Sequence, residues 1–244
     1  MSFQASIYYQ PNGSFSGVSA EYLIFNIIVA AGPVYLTFTR GANFAEKAPK
    51  ALAALALMAA VFVPWDILVT GRHWWFNDAY TLGFHIAGLP LGEWLFFLTV
   101  PYACIFTWEM FFAAKNDVPG KPFLRGVQMA LPLLVPFGGW VFSTGLEYTG
   151  LALISLGLTA LLDIVLRTHI FQRATAYLFT LMVAGLILIF NGYLTARPVV
   201  LYGEEYQLGF RIITIPVEDF IYGFALLLGG VVLYQRFMGR VQHG

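Results

Sequence analysis

Residues 80–90 read YTLGFHIAGLP, and residues 206–216 read YQLGFRIITIP. Six of these eleven positions are identical in the two segments. Each segment then continues into acidic residues at the start of an apolar helix, as PLGEWLFF from Pro90 and as PVEDFIYG from Pro216. A carboxylate at the edge of hydrocarbon is energetically costly. Its duplication at two matching places therefore indicates a functional site.

The composition assigns the chain to a membrane. Of its 244 residues, 59% are hydrophobic and 11% are charged, and the mean hydropathy is +0.74. So little polar surface could not cover a soluble domain. Apolar stretches of about twenty residues span a hydrocarbon core. They predict an all-α polytopic fold with seven transmembrane helices, near 21–39, 51–69, 91–113, 127–146, 149–166, 174–194 and 217–237.

The duplication extends upstream of the motif. The sequence WDILVT from Trp65 corresponds to FNGYLT from Phe190, one residue out of register with the motif, so that Asp66 corresponds to Asn191. Each half is therefore three helices with a long loop before the third. Because four crossings separate the starts of the two repeats, both face the same way about an axis along the membrane normal. We expect a first repeat at 20–114, a linker helix at 115–147 and a second repeat at 148–238, with the short turn at Glu147 to Gly150 as its upstream break.

Basic residues are distributed unequally between the two sets of loops. The set on the side of the N-terminus contains three, Arg72, Arg197 and Arg211, and the other set contains ten. Because Lys and Arg are enriched in cytoplasmic loops, we predict an external N-terminus and a cytoplasmic C-terminus, in the bacterial inner membrane. The first twenty residues carry no Lys or Arg and no early apolar run, so we do not expect a cleaved signal peptide. The ten are Arg40, Lys47, Lys50, Lys115, Lys121, Arg125, Arg167, Arg173, Arg236 and Arg240.

Proline at each helix start places the acids in the first helical turn. Pro90 and Pro216 lack the amide hydrogen that a first turn leaves unpaired. Glu93, Glu218 and Asp219 then lie where the helix dipole stabilises negative charge, whereas apolar surroundings favour the neutral acid. A carboxyl kept neutral can act as a general acid and an ionised neighbour as a general base. Helix capping would explain one isolated acid here, but the duplication favours function.

Aromatic residues surround both motifs. These residues could form an aromatic belt at the membrane interface. They could equally stabilise a carbocation through the faces of their rings, and the sequence leaves both interpretations open. The side chains that we expect to bind a substrate are Trp65, Trp74, Trp94, Phe96, Phe97, Phe220, Tyr222 and Phe224.

The segments 65–109 and 191–228 closely resemble the two halves of the membrane-integral lycopene cyclases. That family has paired small subunits in some bacteria and fused proteins in other bacteria, in archaea and in fungi, and this chain looks like a fused form. Its hallmark is Pro-x-Glu-Glu/Asp at the head of a helix in each half. The second half matches it as Pro216-Val217-Glu218-Asp219, whereas Gly92 replaces the first acid in Pro90-Leu91-Gly92-Glu93.

The resemblance implies a cofactor-independent isomerisation that closes the open ends of lycopene into beta-ionone rings. A carboxylic acid would protonate the terminal double bond, an internal double bond would attack the cation, and a base would remove a ring proton. It implies these acid and base roles for Glu93, Glu218 and Asp219, with no choice among them because coupled carboxyls titrate as a set.

Four further polar residues are expected near the acids. Asp66 and Asn191 could support them by hydrogen bonds, or form a polar link between helices. Arg72 and Arg211 could hold one acid ionised, or lie at the interface. The expected partners are lycopene dissolved in the lipid bilayer and no nucleic acid, with a homo-oligomer or contacts to carotenoid-pathway enzymes left open.

Other functions fit less well. Retinal proteins need a lysine inside a late helix, and the four lysines lie in predicted loops; the four histidines lack the i, i+4 spacing of a metal site. The alternative function is a proton-coupled transporter of small solutes, since parallel repeats and intramembrane acids also suit transport. Transporters usually place their site near the midplane, whereas these acids lie at helix starts. Asp163, four residues before Arg167, is interpreted as a local ion pair.

Overall fold

The computed structural model describes residues 19–39, 43–113 and 121–239. Within these ranges the chain folds into eight α-helices that form seven apolar rods, each a continuous helical segment. Leu131–Leu133 joins α4 to α5 in a single rod, and the π-helical turn Trp108–Phe112 extends α3. The helices are α1 (Glu21–Thr37), α2 (Ala48–Val69), α3 (Leu91–Thr107), α4 (Pro122–Ala130), α5 (Leu134–Ser143), α6 (Glu147–Leu166), α7 (Ala174–Ala196) and α8 (Val217–Phe237).

Six of the rods are long and apolar enough to cross a membrane, and α1 is a shorter apolar helix. The predicted all-α polytopic fold is therefore confirmed. The break before α6 lies slightly earlier than predicted, because Gly145 adopts φ +99° and the helix already begins at Glu147.

Helix α8 is the centre of the bundle. It is buried along most of its length and packs against α2, α3, α6 and α7. Outside this centre, α1 packs on α3, and α5 packs on α6. The α5 and α6 backbones come close, since a Cβ at Gly138 would lie 2.6 Å from the carbonyl oxygen of Gly150. Small residues at such contacts allow helices to approach in a membrane.

The two loops before α3 and α8 contain short antiparallel hairpins. The strands are β1 (Trp74–Phe76), β2 (His85–Ile86), β3 (Leu89–Pro90), β4 (Val200–Tyr202), β5 (Arg211–Ile212) and β6 (Ile215–Pro216). Strand β2 pairs with β3, and β5 with β6. In each hairpin the last strand ends at the proline that caps the following helix. The duplicated motif is thus a hairpin that places an acidic helix start.

The two loops meet through β1 and β4. Trp75 pairs with Leu201 at the centre of an antiparallel register, and the flanking pairs are Trp74 with Tyr202 and Phe76 with Val200. By the spacing of the motif, Trp75 corresponds to Leu201 and Phe76 to Tyr202. A central residue that pairs with its own counterpart indicates a pseudo-twofold axis through that pair, in agreement with repeats that face the same way.

The interpretation of Asp163 and Arg167 as an ion pair is wrong. Asp163 accepts hydrogen bonds from Thr168 Oγ1 at 2.5 Å, from the backbone amides of Ile170 and Phe171, and from Gln128 Nε2 at 2.7 Å. The sequence spacing fits a helical pair, but the chain turns at Arg167, which adopts φ +55°. The carboxylate therefore binds the turn after α6 and holds it against α4.

Several predictions concern parts of the chain that lie outside the described residues. These are the N-terminal stretch up to residue 18, three of the basic residues used for orientation, namely Arg40, Lys115 and Arg240, and the boundary between 114 and 115. The direction of the termini, the choice of membrane and the domain boundaries remain predictions.

Candidate active site

Carboxyls from both halves line one cavity. Its volume is about 330 Å³, within the range of small-molecule sites, roughly 300–1,000 Å³. Glu93 and Asp219, from the first turns of α3 and α8, both line it, as does Asp66 from α2. Most of the other lining side chains are apolar and come from α1, α3, α7 and α8. The duplicated motifs thus contribute to one shared site.

Asp219 accepts three hydrogen bonds. Tyr148 donates its hydroxyl to Oδ1 at 2.6 Å, while Asn191 Nδ2 at 2.6 Å and the Tyr202 hydroxyl at 2.5 Å both donate to Oδ2. Burial, with the negative charge of Asp219, raises the pKa of Tyr202, so its phenol stays a donor. Three donors on two oxygens match an ionised carboxylate, which only accepts.

Glu93 repeats part of this arrangement. The Tyr22 hydroxyl donates to Glu93 Oε2 from α1, just as the Tyr148 hydroxyl donates to Asp219 from α6. Tyr22 and Tyr148 occupy corresponding positions in the two repeats. Glu93 Oε1 makes no hydrogen bond within the ranges 19–39, 43–113 and 121–239. Glu93 therefore has one oxygen held and one available.

Asp66 accepts hydrogen bonds on one oxygen. Trp74 Nε1 donates to Oδ1 at 2.7 Å, and Thr70 Oγ1 donates to the same atom at 3.2 Å. The residue is 2% exposed, and Oδ2 has no partner in the described part of the chain. Its counterpart, Asn191, donates to Asp219. The two corresponding residues thus differ: one contributes a carboxyl to the cavity and the other supports a carboxyl.

Glu218 does not line the cavity, although it directly precedes Asp219. It is fully buried, and its Oε1 accepts from Thr149 Oγ1 at 2.5 Å and from the backbone amide of Leu208 at 2.7 Å. It therefore ties the loop before the second hairpin to α6 and α8.

Gly92 stands where Glu218 stands in the second half. A Cβ at Gly92 would lie 2.6 Å from Cγ of Tyr22, and its backbone carbonyl accepts from Asn26 Nδ2 at 3.0 Å. The first half therefore uses this space for the ring of Tyr22. The residue that corresponds to Thr149 is Leu23, which has no hydroxyl to donate.

Three of the expected aromatic residues line the cavity: Trp74, Phe96 and Tyr222. Trp65 packs edge-on against Tyr222 at 4.9 Å between ring centroids, and Trp94 Nε1 donates to the backbone of its own hairpin. Phe97, Phe220 and Phe224 pack in the bundle.

Sequence reasoning missed Tyr22, Tyr148 and Tyr202, whose hydroxyls bind the cavity acids. One signal was present, because the dipeptide Glu-Tyr occurs at 21–22 and at 147–148, at the spacing of the motif.

The arginines of the motif loops hold other groups. Arg72 Nη2 lies 2.5 Å from Glu147 Oε1, and Arg211 Nη1 donates to the carbonyl of Thr214 at 2.8 Å. Arg72 and Glu147 join the loop of the first repeat to the second repeat. Conversely, Arg197 Nη2 of the second repeat lies 2.8 Å from Glu21 Oε1 of the first. The loop of each repeat is thus joined to the first helix of the other, next to the tyrosine that binds an acid.

The cavity continues along α1 and α7, away from the acids. These helices meet near the acids through an edge-on contact of Phe25 and Phe190, with 5.6 Å between ring centroids. Beyond it the cavity is lined by Ile28, which is 63% exposed on the outside of the bundle. Thr107 also lines it, roughly 20 Å from Glu93 along α3 at 1.5 Å per residue. An elongated apolar molecule could lie along this cavity with one end at the acids.

A family model described as lycopene cyclase matches residues 20–111 and 146–237, together most of the chain. The two matched segments have equal lengths and are displaced by the same number of residues as the two hairpin motifs. No curated protein and no solved structure matches the chain.

Proposed function

This chain belongs to the lycopene cyclase family, and from that premise we propose that it closes the linear ends of lycopene into beta-ionone rings by acid and base catalysis, without a cofactor. Family membership supports a carotenoid cyclase and a carotenoid substrate. The observation that carries the finer proposal is that carboxyls of both motifs line one apolar cavity with unequal hydrogen bonding.

The unequal hydrogen bonding of the two carboxyls suits the two proton transfers of the reaction. Asp219, which accepts hydrogen bonds from three donors, fits the base that removes a ring proton. Its negative charge would also face the carbocation intermediate. Glu93, with one donor and one free oxygen, can hold a proton or release it. A pair of carboxyls whose surroundings favour opposite protonation states is the usual basis for acid and base roles in one site.

The lining of the cavity suits a carbocation. The rings of Trp74, Phe96 and Tyr222 line it, and aromatic faces attract a cation, most strongly where water is excluded. An apolar lining also protects the cation from attack by water. We assign these three side chains to substrate binding, and the other five expected aromatics to packing around them.

The shape of the cavity suits a polyene taken from the lipid. One end would reach the acids past Phe25 and Phe190, while the rest lies along α1 and α7. Because both motifs contribute to the same cavity, one end reacts at a time. A product with two rings then requires the molecule to leave and enter again with its other end.

The test is pigment analysis of lycopene-producing bacterial cells that express this chain. We expect ring-bearing carotene from the unaltered chain, and lycopene alone from Asp219→Asn and Glu93→Gln, at equal protein levels in the membrane. Lycopene that stays unchanged although the unaltered protein is present would exclude this function. Proton uptake by vesicles containing the chain, driven by a solute gradient, would instead support the transporter alternative.

A further inference from the structure

The cavity contains a third carboxyl that belongs to neither motif. Asp66 lies on α2, lines the cavity and is almost completely buried. Its Oδ2 has no hydrogen-bond partner within the described ranges. A buried polar atom without a partner requires an explanation. An ionised oxygen left unpaired in apolar surroundings is very costly, whereas the neutral acid is tolerated far better.

The hydrogen bonds to Asp66 also fit a neutral carboxylic acid. Both donors, Trp74 and Thr70, bind Oδ1. In a neutral acid the carbonyl oxygen accepts, and the other oxygen carries the hydrogen. Asp219 shows the opposite pattern, because both of its oxygens accept. One cavity therefore holds one carboxyl arranged as an acid and one arranged as a base.

Glu93 lines the same cavity as Asp66 and Asp219. The ring of Tyr222 forms part of the same cavity wall. The three acids therefore form one group around the space where a substrate end would lie.

We propose that Asp66 is the proton donor of the ring closure, an inference that rests on the proposed cyclase function. The O–H bond of Asp66 breaks as a C–H bond forms at the terminal double bond, and an internal double bond attacks the resulting cation to close the ring. Asp219 takes the proton from the ring carbon that joins the polyene, and the electrons of that C–H bond become the ring double bond. Glu93 returns the proton from Asp219 to Asp66, so no proton or electron is gained or lost.

Deuterium exchange separates the donor from the base. Membranes with each variant are incubated with unlabelled lycopene in deuterated buffer, and the recovered lycopene is analysed by mass spectrometry. For Asp219→Asn we expect no ring but deuterium in the lycopene, since protonation still occurs and reverses. For Asp66→Asn we expect conversion lowered by about 100-fold or more and no deuterium. Substantial conversion or deuterium uptake by Asp66→Asn would overturn the proposal.

Matched controls address folding and position. Asp78 is exposed, lies in the loop that follows α2 and pairs with His85, so Asp78→Asn should leave conversion unchanged. Asp66→Glu, which keeps a carboxyl, should retain measurable conversion. If Asp66→Glu were as inactive as Asp66→Asn while both proteins were folded in the membrane, a merely structural role would be favoured.

A second measurement needs no variant and no catalysis. Dicyclohexylcarbodiimide modifies neutral carboxyls in apolar sites, so the unaltered protein should be labelled at Asp66 and not at Asp219, with less label when lycopene is present. An unlabelled Asp66 would overturn the proposal, even if Asp66→Asn failed to fold. If the unaltered chain does not cyclise lycopene, the proposed function fails, whereas the labelling still reports on Asp66.

Discussion

The ring of Tyr22 occupies the space that a side chain at Gly92 would need. A Cβ there would lie 2.6 Å from Cγ of Tyr22, and the hydroxyl of the same tyrosine donates to Glu93. The glycine in the first motif is therefore explained by the phenol that binds its neighbour. In the second half the position that corresponds to Gly92 is Glu218, which accepts a hydrogen bond from Thr149.

Substitution of Gly92 should disturb Glu93 through Tyr22. Overpacking a tight contact costs about 1–3 kcal/mol, so we expect Gly92→Ala to lower lycopene conversion by about tenfold. Gly92→Glu, which repeats the acid pair of the second motif, should be worse. Gly139→Ala is the matched control, because no residue in the described part of the chain lies within 4 Å of a Cβ at that position. Higher conversion by Gly92→Glu would contradict this explanation.

The two adjacent acids of the second motif should respond differently. Asp219→Asn should lower conversion by about 100-fold or more, because Asp219 lines the cavity. Glu218→Gln should retain most of it, since an amide oxygen can still accept from Thr149 and Leu208. Conversion of lycopene by membranes, normalised to protein, tests this pair. Equal losses in the two variants would place Glu218 among the reacting groups.

The phenols around Asp219 should matter individually. A hydrogen bond to a charged group contributes about 1.5–3 kcal/mol, so Tyr148→Phe and Tyr202→Phe should each lower conversion by about 10-fold to 100-fold. Because the pKa of Tyr202 is raised, its hydroxyl stays protonated above the usual titration of tyrosine, and alkaline buffer up to about pH 10 should not imitate Tyr202→Phe. Tyr35→Phe, on the exposed side of α1, serves as the control. Unchanged activity in both cavity variants would contradict the role of Asp219 as an ionised base.

The ion pair of Glu21 and Arg197 should have a small effect on activity. It joins the two repeats next to Tyr22, but exposed ion pairs contribute little. We therefore expect Arg197→Glu to lower conversion by no more than about fivefold. The exchange Glu21→Arg with Arg197→Glu should restore it, as measured by initial rates at low salt. A loss that the exchange does not repair would indicate a role other than pairing.

Local properties of the chain were sufficient for the class of fold. The hydropathy and length of the apolar segments predict the helices, because such a segment must be long enough to cross the bilayer. The proline at the end of each duplicated motif predicts where the following helix begins. The duplicated pattern predicted two of the three acids that line the cavity, Glu93 and Asp219. The donors were missed because Tyr22 and Tyr148 each lie 71 residues from the acid they bind, and no local pattern links such positions.

The sequence by itself determined that this is a duplicated helical membrane protein of the lycopene cyclase family with acids at two helix starts. Only the tertiary structure decided which acids share the cavity. Successive residues of a helix point about 100° apart, so Glu218 faces α6 while Asp219 faces the cavity, and the side that each meets depends on helices distant in sequence. Asp66 likewise enters the cavity because α2 packs beside α3 and α8, a contact that hydropathy and motif spacing do not specify.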